Sequence, residues 1–271
     1  MNDALIRAYR PADIPELTAL WTETFGDSEE LIGEFFHLLP AMGTAVTAEC
    51  GGAVAGGAYA VILGELRGLP GKTPVCGYIY AVAVNGKYRH RGLGAALVRA
   101  AGDAARGLGA DIVCTLPAED SLYRWYGDIL GVRAALRTVT REVRSAPVLP
   151  CKPVSAGEYM RRREELLRGR VRMSPTEAAL EFTRSLCGAY GGGLYDCGAG
   201  ICAAYTEDGV CLIRELVCEN EDDCADAAAS VGALLGVSAC RYRLPAEDGD
   251  AYIAAAPGAV PAGCVWNISF D

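Results

Sequence analysis

Apolar positions in the first half of the chain follow two periods, one typical of helices and one typical of strands. After a short strand over "ALIRAY", a helix begins near Pro11 and carries its apolar side chains on one face: Ile14, Leu17, Leu20 and Trp21. A second helix follows over "SEELIGEFFHLL", with Asp27 or Ser28 as its N-cap. The pattern then predicts two strands around a turn at Gly51 and Gly52.

The next segment predicts a strand that leads directly into a long helix. From Tyr78 to Val84, alternate residues face opposite sides of the strand, and the helix extends from about Gly92 to Leu108. A strand "ADIVCTL", a helix "AEDSLYRWYGDI" and a strand "VRAALRTVTREV" complete this half. The order β-α-α-β-β-β-α-β-α-β predicts an α/β fold with one mixed sheet and helices on its faces.

A change of composition divides the chain into two parts. The segment "SAPVLPCKPV" contains three prolines and little periodicity, which indicates a boundary between Pro147 and Pro153. We therefore predict two domains, residues 1–146 and residues 147–271. The second is a smaller α/β domain with three helices and two terminal strands, the last of which, "WNISFD", extends toward the active site of the first domain.

Composition excludes several classes of protein. The chain has 271 residues, 51% of them hydrophobic and 22% charged, which is typical of a globular protein with a real core. It contains neither a run of about 20 apolar residues nor a signal-like N-terminus, so we expect a cytoplasmic protein with no membrane partner. The net charge of −9 argues against nucleic acid as a partner. The twelve cysteines lie singly in apolar stretches, and with only two histidines they predict no metal site.

A local basic cluster at the start of the long helix is the most informative feature. The residues Arg89-His90-Arg91-Gly92-Leu93-Gly94 place cations and glycines where backbone N–H groups and the helix dipole favour phosphate oxygens. A P-loop is excluded because Ala95 and Ala96 stand where it needs Lys and Ser or Thr. A dinucleotide motif stays open as an alternative, with Asp111 as its acid, although Leu97 occupies the position of its third glycine.

The same residues resemble the Arg/Gln-x-x-Gly-x-Gly/Ala acetyl-CoA motif of the GNAT superfamily of N-acetyltransferases. A second segment, "LPAEDSLYRWYGDILGV", resembles the later part of that family, in which a helix carries a tyrosine. The resemblance covers about residues 1–145, and the remainder is similar to the reduced second domain of bacterial acetyltransferases related to the enhanced intracellular survival protein. It implies a GNAT fold, an acyltransferase and acetyl-CoA as co-substrate.

The resemblance also implies roles for particular residues. The backbone of Val82 and Val84 would hold the pantetheine arm, and the pyrophosphate would be cradled by one run of residues: Arg89, His90, Arg91, Gly92, Leu93, Gly94 and Ala95. Tyr126 would be the general acid. Because "YGDILGV" is one residue longer than the usual spacing, Tyr123, on about the same helix face, is the competing assignment.

The base and the acceptor are less defined by the sequence. In the related bacterial acetyltransferases the C-terminal carboxylate serves as base, which makes Asp271 a candidate. The other candidates are acids near the first two helices: Glu23, Asp27, Glu29 and Glu30. These acids either attract a cationic amine or form a solvated face. We expect transfer to a primary amine of a small molecule or peptide, with a non-catalytic acyl-CoA-binding module as the alternative. Monomer and homo-oligomer both stay open.

Overall fold

The computed structural model describes residues 4–270, which form two mixed β-sheets with α-helices packed on them. The helices are α1 Ile14–Phe25, α2 Glu29–Met42, α3 Leu93–Gly107, α4 Asp120–Leu130, α5 Ala156–Leu166, α6 Glu177–Ala189 and α7 Asp223–Leu234. The strands are β1 Leu5–Ala8, β2 Gly43–Cys50, β3 Ala53–Arg67, β4 Val75–Val84, β5 Ile112–Thr115, β6 Arg133–Ala134, β7 Arg137–Arg144, β8 Lys152–Pro153, β9 Arg172–Pro175, β10 Gly193–Asp196, β11 Gly200–Glu207, β12 Val210–Cys218, β13 Ala239–Pro245, β14 Asp250–Ala251 and β15 Ala254–Ala255.

The first sheet has the strand order β1-β2-β3-β4-β5-β15-β6, and β9 pairs with the far end of β3. Its pairs are antiparallel except β4 and β5, which are parallel because α3 crosses over between them. This is the mixed sheet that the sequence predicts. A Cβ atom at Gly77 of β4 would lie 2.7 Å from the Cβ of Ala110 and 2.9 Å from that of Ala105. Glycine at this position therefore lets α3 approach the sheet closely.

The start of α2 shows which of the two candidate residues, Asp27 or Ser28, is its N-cap. The Ser28 side chain accepts a hydrogen bond from the backbone N–H of Leu31 at 3.2 Å, so Ser28 is the N-cap. The preceding helix ends at Gly26, which has a left-handed conformation with φ of 81°. Asp27 lies between the two helices and is left available for contacts elsewhere.

One predicted strand is divided into two in the structure. The continuous strand expected over "VRAALRTVTREV" is divided into β6 and β7, which belong to different sheets, and β7 pairs with β13 over seven residue pairs. Between them the chain bends where the N–H groups of Ala135 and Leu136 both donate to the carbonyl of Ile253. Ala134, Ala135 and Leu136 are consecutive apolar residues at this bend, so the apolar pattern does not mark a change of sheet. Sheet membership thus changes before the predicted boundary at residues 146/147, and β9 and β15 return to the first sheet.

The expected terminal strand "WNISFD" does not form a ladder within the described residues. In its place residues 264–270 run as a buried irregular segment beside β9, where Val265 makes an isolated bridge to Arg172. The hydroxyl of Tyr252 hydrogen bonds to the carbonyl of Asn267 at 3.0 Å and lies 2.7 Å from Ser269 Oγ. Side-chain bonds of this kind satisfy backbone groups that a strand would pair with a neighbour.

The second sheet repeats the architecture of the first. Its order is β14-β7-β13-β12-β11-β10-β8, and β12 and β13 are parallel with α7 between them. The series β8, α5, α6, β10, β11, β12, α7, β13 therefore matches β1, α1, α2, β2, β3, β4, α3, β5 in both chain order and sheet order, with β9 as an insertion. The smaller second domain is thus a reduced copy of the first in topology.

Candidate active site

A cavity of about 690 Å³ lies between the two sheets and is lined by residues of both. On the side of the first sheet, β4 and β5 pair only as far as Tyr78 and Cys114. Beyond that pair the two strands separate, and the cavity opens between them. Its walls there are residues 79–82 of β4, Thr115 at the end of β5 and residues 116–118 after it. Among residues 4–270, no residue of β4 beyond Tyr78 pairs with a residue of β5.

A β-bulge interrupts β4 at the wall of this cavity. Gly57 pairs with Ala83 and Tyr59 pairs with Tyr80, so two residues of β4 stand opposite one residue of β3. One of the two, Ala81, has φ of 44°, in the left-handed region that L-residues rarely adopt. A conformation of this kind costs about 1–3 kcal/mol and is concentrated at functional sites. The bulge turns the backbone of Ala81 and Val82, both of which line the cavity.

The start of α3 has the geometry of an anion site. Gly92 is the N-cap with φ of 77°, and it makes no side-chain capping hydrogen bond. The first N–H groups of the helix, those of Leu93, Gly94 and Ala95, therefore point out of its end. Leu93 is buried, so its contribution to such a site is its backbone.

Exposed cations surround this helix end. The Arg89 Nε donates to the carbonyl of Val84 at 3.0 Å, which anchors Arg89 to the end of β4. Arg91 donates to the carbonyl of Lys87 at 3.1 Å, and its guanidinium lies 5.6 Å from the centre of the Tyr88 ring. His90 is exposed and has φ of 62°. In a chain of net charge −9 this local positive surface favours a small anionic ligand.

The dinucleotide alternative needs a glycine where Leu97 stands, so that helix and strand can touch. Leu97 is fully buried against the sheet, and a Cβ atom at Gly56 of β3 would lie 2.9 Å from its Cδ1 atom. Gly56 of β3 therefore allows α3 to approach the sheet closely. The third glycine of a dinucleotide motif is absent, because Leu97 stands at its position.

Tyr126 lies in the cavity wall beside Thr115, the last residue of β5. The residue is 8% exposed, and burial raises the pKa of its phenol to about 12, an effect that a hydrogen bond with Thr115 partly offsets. The Thr115 hydroxyl in turn donates to the carbonyl of Ile79 at 3.1 Å, across the gap between β5 and β4. A phenol with this pKa carries its proton at neutral pH and can donate it into the cavity.

The competing tyrosine has a different environment. Tyr123 donates its hydroxyl hydrogen bond to the carbonyl of Tyr252 at 2.8 Å. This bond joins α4 to the segment between β14 and β15. The geometry of Tyr123 therefore matches a structural contact between the two halves of the chain.

The candidate bases are not brought together. Asp27 lines the cavity, and it accepts hydrogen bonds from Trp21 Nε1 at 2.8 Å and from the Tyr190 hydroxyl at 2.6 Å. The bond to Asp27 raises the pKa of Tyr190 to about 12. The other three acids, Glu23, Glu29 and Glu30, are exposed on α1 and α2. Asp271 lies outside the described residues.

The residue before Asp271 is part of the cavity. Phe270 is 3% exposed, and its ring centre lies 5.8 Å from that of Tyr78, 5.2 Å from that of Tyr80 and 4.9 Å from that of Phe182. This aromatic cluster joins β4, α6 and the end of the chain. It positions the last described residue beside the opening between the separated strands.

The sequence did not predict the cavity residues contributed by the second sheet. Five aromatic or charged residues of its strands line the cavity: Tyr205, Glu207, Arg214, Arg243 and Asp250. Tyr190, after α6, and Tyr252, after β14, join them. These segments carry no motif in the sequence, and their placement depends on how the two sheets meet.

Two further findings concern the described part of the chain. Residues 4–270 include no group of three or more His, Cys, Asp or Glu side chains that could hold a metal ion. In the same residues, no helix combines the length and the apolar character needed to cross a membrane.

Comparison with known proteins identifies the fold. A GCN5-related N-acetyltransferase from Kribbella flavida is similar over 93% of this chain and 70% of its own, with 16% identity and a TM-score of 0.66. Eis1 from Mycobacterium abscessus is similar over 90% of this chain and 67% of its own, with 16% identity and a TM-score of 0.59. An acetyltransferase structure from Pyrococcus horikoshii is similar over 100% and 94%, with 15% identity and a TM-score of 0.64. A comparison with curated proteins gives no match.

A family model matches the first part of the chain. Residues 5–128 match the model of the acetyltransferase (GNAT) domain, and this range contains both the cradle at the start of α3 and Tyr126. The chain therefore contains an acetyltransferase (GNAT) domain, which supports acyl transfer in general, followed by a smaller α/β domain.

Proposed function

We propose that this protein transfers the acetyl group of acetyl-CoA directly to a primary amine that enters the cavity between the two sheets. One observation carries the proposal: the buried phenol of Tyr126 lies beside Thr115 at the end of β5, in the wall of a cavity large enough for a small-molecule or peptide amine.

The cradle and the bulged strand fit the two parts of CoA. The N–H groups at the start of α3 and the cations Arg89 and Arg91 would hold the pyrophosphate, with the His90 to Ala95 backbone around it. The backbone of Val82 and Val84 would hold the pantetheine arm as an added strand beside β4, which β5 leaves open beyond Tyr78. This route leads from the helix end into the cavity. When bound, acetyl-CoA supplies an activated thioester carbonyl.

The side chains of the cavity match the proton movements of the reaction. The amine attacks the carbonyl carbon, the C–N bond forms and the C–S bond breaks, so the amine loses one proton and the departing thiolate gains one. Tyr126 would donate the proton to the sulfur, because its raised pKa of about 12 keeps the phenol protonated at neutral pH. N–H groups of the bulge at Ala81 and Val82 would stabilise the negative charge that develops on the carbonyl oxygen.

Two carboxylates remain candidates for the base. Asp27 lines the cavity and could accept the amine proton directly or through a water molecule. Asp271 follows Phe270, which lines the same cavity, and its role as base stays a prediction. Asp27, Glu207 and Asp250 also make part of the wall negative, which would attract a cationic amine.

The release of CoA thiol tests this proposal. Purified protein is incubated with acetyl-CoA and a panel of primary amines, and free thiol is measured over time. Amine-dependent release at a rate above that of the amine alone is expected. CoA binding without thiol release for every amine would favour the alternative, a non-catalytic acyl-CoA-binding module.

A further inference from the structure

Beside the main cavity lies a smaller cleft of about 180 Å³ that nothing in the reaction above uses. It is formed on the second sheet, and it shares Arg214, Arg243, Tyr205 and Thr140 with the main cavity. A third arginine, Arg241, completes its cationic lining, and the residues that line it include no Asp or Glu. The cleft is therefore a positive recess that opens onto the acceptor cavity.

The strand register brings two of these arginines side by side. The parallel strands β12 and β13 pair up to Ile213 and Tyr242, and Arg214 and Arg243 each follow directly. Arg214 is also the extra residue of a β-bulge, because Glu215 pairs with Ala203 while Ile213 pairs with Ala204. A bulge turns the side chain of its extra residue away from the regular alternation. Here Arg214 lines the cavity. The next residue, Glu215, is fully buried and does not line it.

Each guanidinium is held by an aromatic ring. The Arg214 guanidinium carbon lies 4.7 Å from the centre of the Tyr205 ring, and that of Arg243 lies 4.5 Å from the centre of the Tyr252 ring. Stacking of this kind orients the planar donor group. Arg241 differs, because it is exposed and pairs with Glu142 at 3.5 Å.

Two like charges on adjacent positions of neighbouring strands destabilise a sheet, and an anion shared between them removes the repulsion. Planar guanidinium groups match the geometry of a carboxylate, which accepts two parallel N–H bonds. We propose that Arg214 and Arg243 form a carboxylate-binding site in the wall of the acceptor cavity.

The carboxylate has two sources with the same chemistry. It belongs either to the acceptor, which would then be an amino compound that also carries a carboxylate, or to the side chain of Asp271, the residue after Phe270 in the sequence. A carboxylate on the acceptor rests on the proposed function and specifies its substrate class. A carboxylate from Asp271 is a contact within the chain and does not depend on the proposed function.

Matched amines distinguish the first source. The ratio of kcat/KM for lysine over cadaverine, and for tyrosine over tyramine, isolates the carboxylate. If the acceptor provides it, the ratio is about tenfold or more in the unmodified protein, as expected for charge-assisted hydrogen bonds. It falls toward one in Arg243→Gln, and in Arg214→Gln if that variant folds. Arg144→Gln, which changes an exposed arginine of β7 that lines neither the cavity nor the cleft, is the control and leaves the ratio unchanged.

A stability cycle distinguishes the second source and needs no turnover. If Asp271 provides the carboxylate, lysine and cadaverine react equally, and Arg243→Gln and Asp271→Asn together lower the free energy of unfolding by less than the sum of the single changes. Equal ratios combined with additive losses would overturn the proposal. If no amine releases thiol at all, the proposed function fails, while the cycle, together with a thermal shift by N-acetylated amino acids, still decides for or against the carboxylate site.

Discussion

Tyr126 and Tyr123 lie on the same helix, but the structure gives their hydroxyl groups different surroundings. The first is buried in the cavity wall beside Thr115, and the second donates to the backbone of Tyr252. The spacing after the helix left this choice open in the sequence, because positions three apart share a helix face. The two hydroxyl groups differ in the residues around them, and those residues are distant in the sequence. No local sequence pattern predicts these contacts. The assignment of Tyr126 as the acid therefore depends on tertiary structure.

Replacing each tyrosine by phenylalanine tests this assignment. In Tyr126→Phe only the hydroxyl is lost, so kcat should fall by about 100-fold or more while CoA affinity changes little. Tyr123→Phe, the matched control, removes one hydrogen bond and should mainly lower stability, by about 1 kcal/mol. Steady-state thiol release and CoA titration measure both. Normal turnover in Tyr126→Phe with a collapse in Tyr123→Phe would reverse the assignment.

The buried phenol also predicts a dependence of stability on pH. The pKa of Tyr126 is raised from an ordinary value of 10 to about 12, so the folded state holds this proton more tightly than the unfolded state. The stability that the protonated Tyr126 phenol contributes to the folded state is fully present below pH 10 and is lost as the pH rises from 10 to 12. The difference in unfolding free energy between the unmodified protein and Tyr126→Phe should therefore change by about 2–3 kcal/mol over that range. Urea unfolding at several pH values measures it, and a constant difference would contradict the buried environment.

At the scale of elements, the sequence predicts best what local patterns determine. The strand β4, the helix α3 and the cradle between them follow from alternation, glycine and cationic residues that are close in the chain. Three features had no such signal: the bulge at Ala81, the division of β6 from β7, and the irregular end at residues 264–270. Each depends on a partner strand or side chain more than 15 positions away in the sequence. The local pattern of apolar residues does not reveal whether that partner is present.

The cradle predicts the effect of a side chain at the start of α3. A Cβ atom at Gly94 would meet Trp125 at 3.5 Å, an ordinary contact, so Gly94→Val should fold. Its branched side chain would occupy the space where phosphate oxygens approach the backbone, and the increase in Tm on adding CoA should be lost.

The matched control is Gly107→Val at the other end of the same helix. A Cβ atom at Gly107 meets nothing within 4 Å, so this variant has a similar helix-propensity change without a ligand nearby. It should keep the CoA-dependent increase in Tm. A shift by NAD and none by CoA in the unmodified protein would instead favour a dinucleotide site.

At the scale of the whole molecule, two sheets of the same topology carry very different chemistry at their crossovers. Where β4 leads into α3 the chain has Arg89 and Arg91 with glycines, but where β12 leads into α7 it has four acids: Glu219, Glu221, Asp222 and Asp223. Carboxylates at this position repel phosphate. The second sheet instead contributes the wall of the acceptor cavity. The layout of a smaller second domain was predicted from the sequence, but the cavity between the sheets was not, because it depends on how distant strands meet.

This difference predicts one CoA per chain. Isothermal titration should give a stoichiometry of one, since among residues 4–270 cations surround the start of α3 while acids surround the start of α7. Arg89→Glu should abolish the heat of binding, while Glu219→Arg, the control at the second crossover, should leave the stoichiometry unchanged. Two molecules bound per chain would show that the second crossover is also a CoA site.

The most direct test of acetyl transfer follows the acetyl group itself. Acetyl-CoA labelled with deuterium in the acetyl group is incubated with the protein and an accepted amine, and mass spectrometry counts labelled N-acetyl product against free CoA thiol. A single-step transfer in the cavity predicts one labelled amide for each thiol released, with both lost in Tyr126→Phe. Thiol release without labelled amide, or neither product over the whole amine panel, would contradict an N-acetyltransferase.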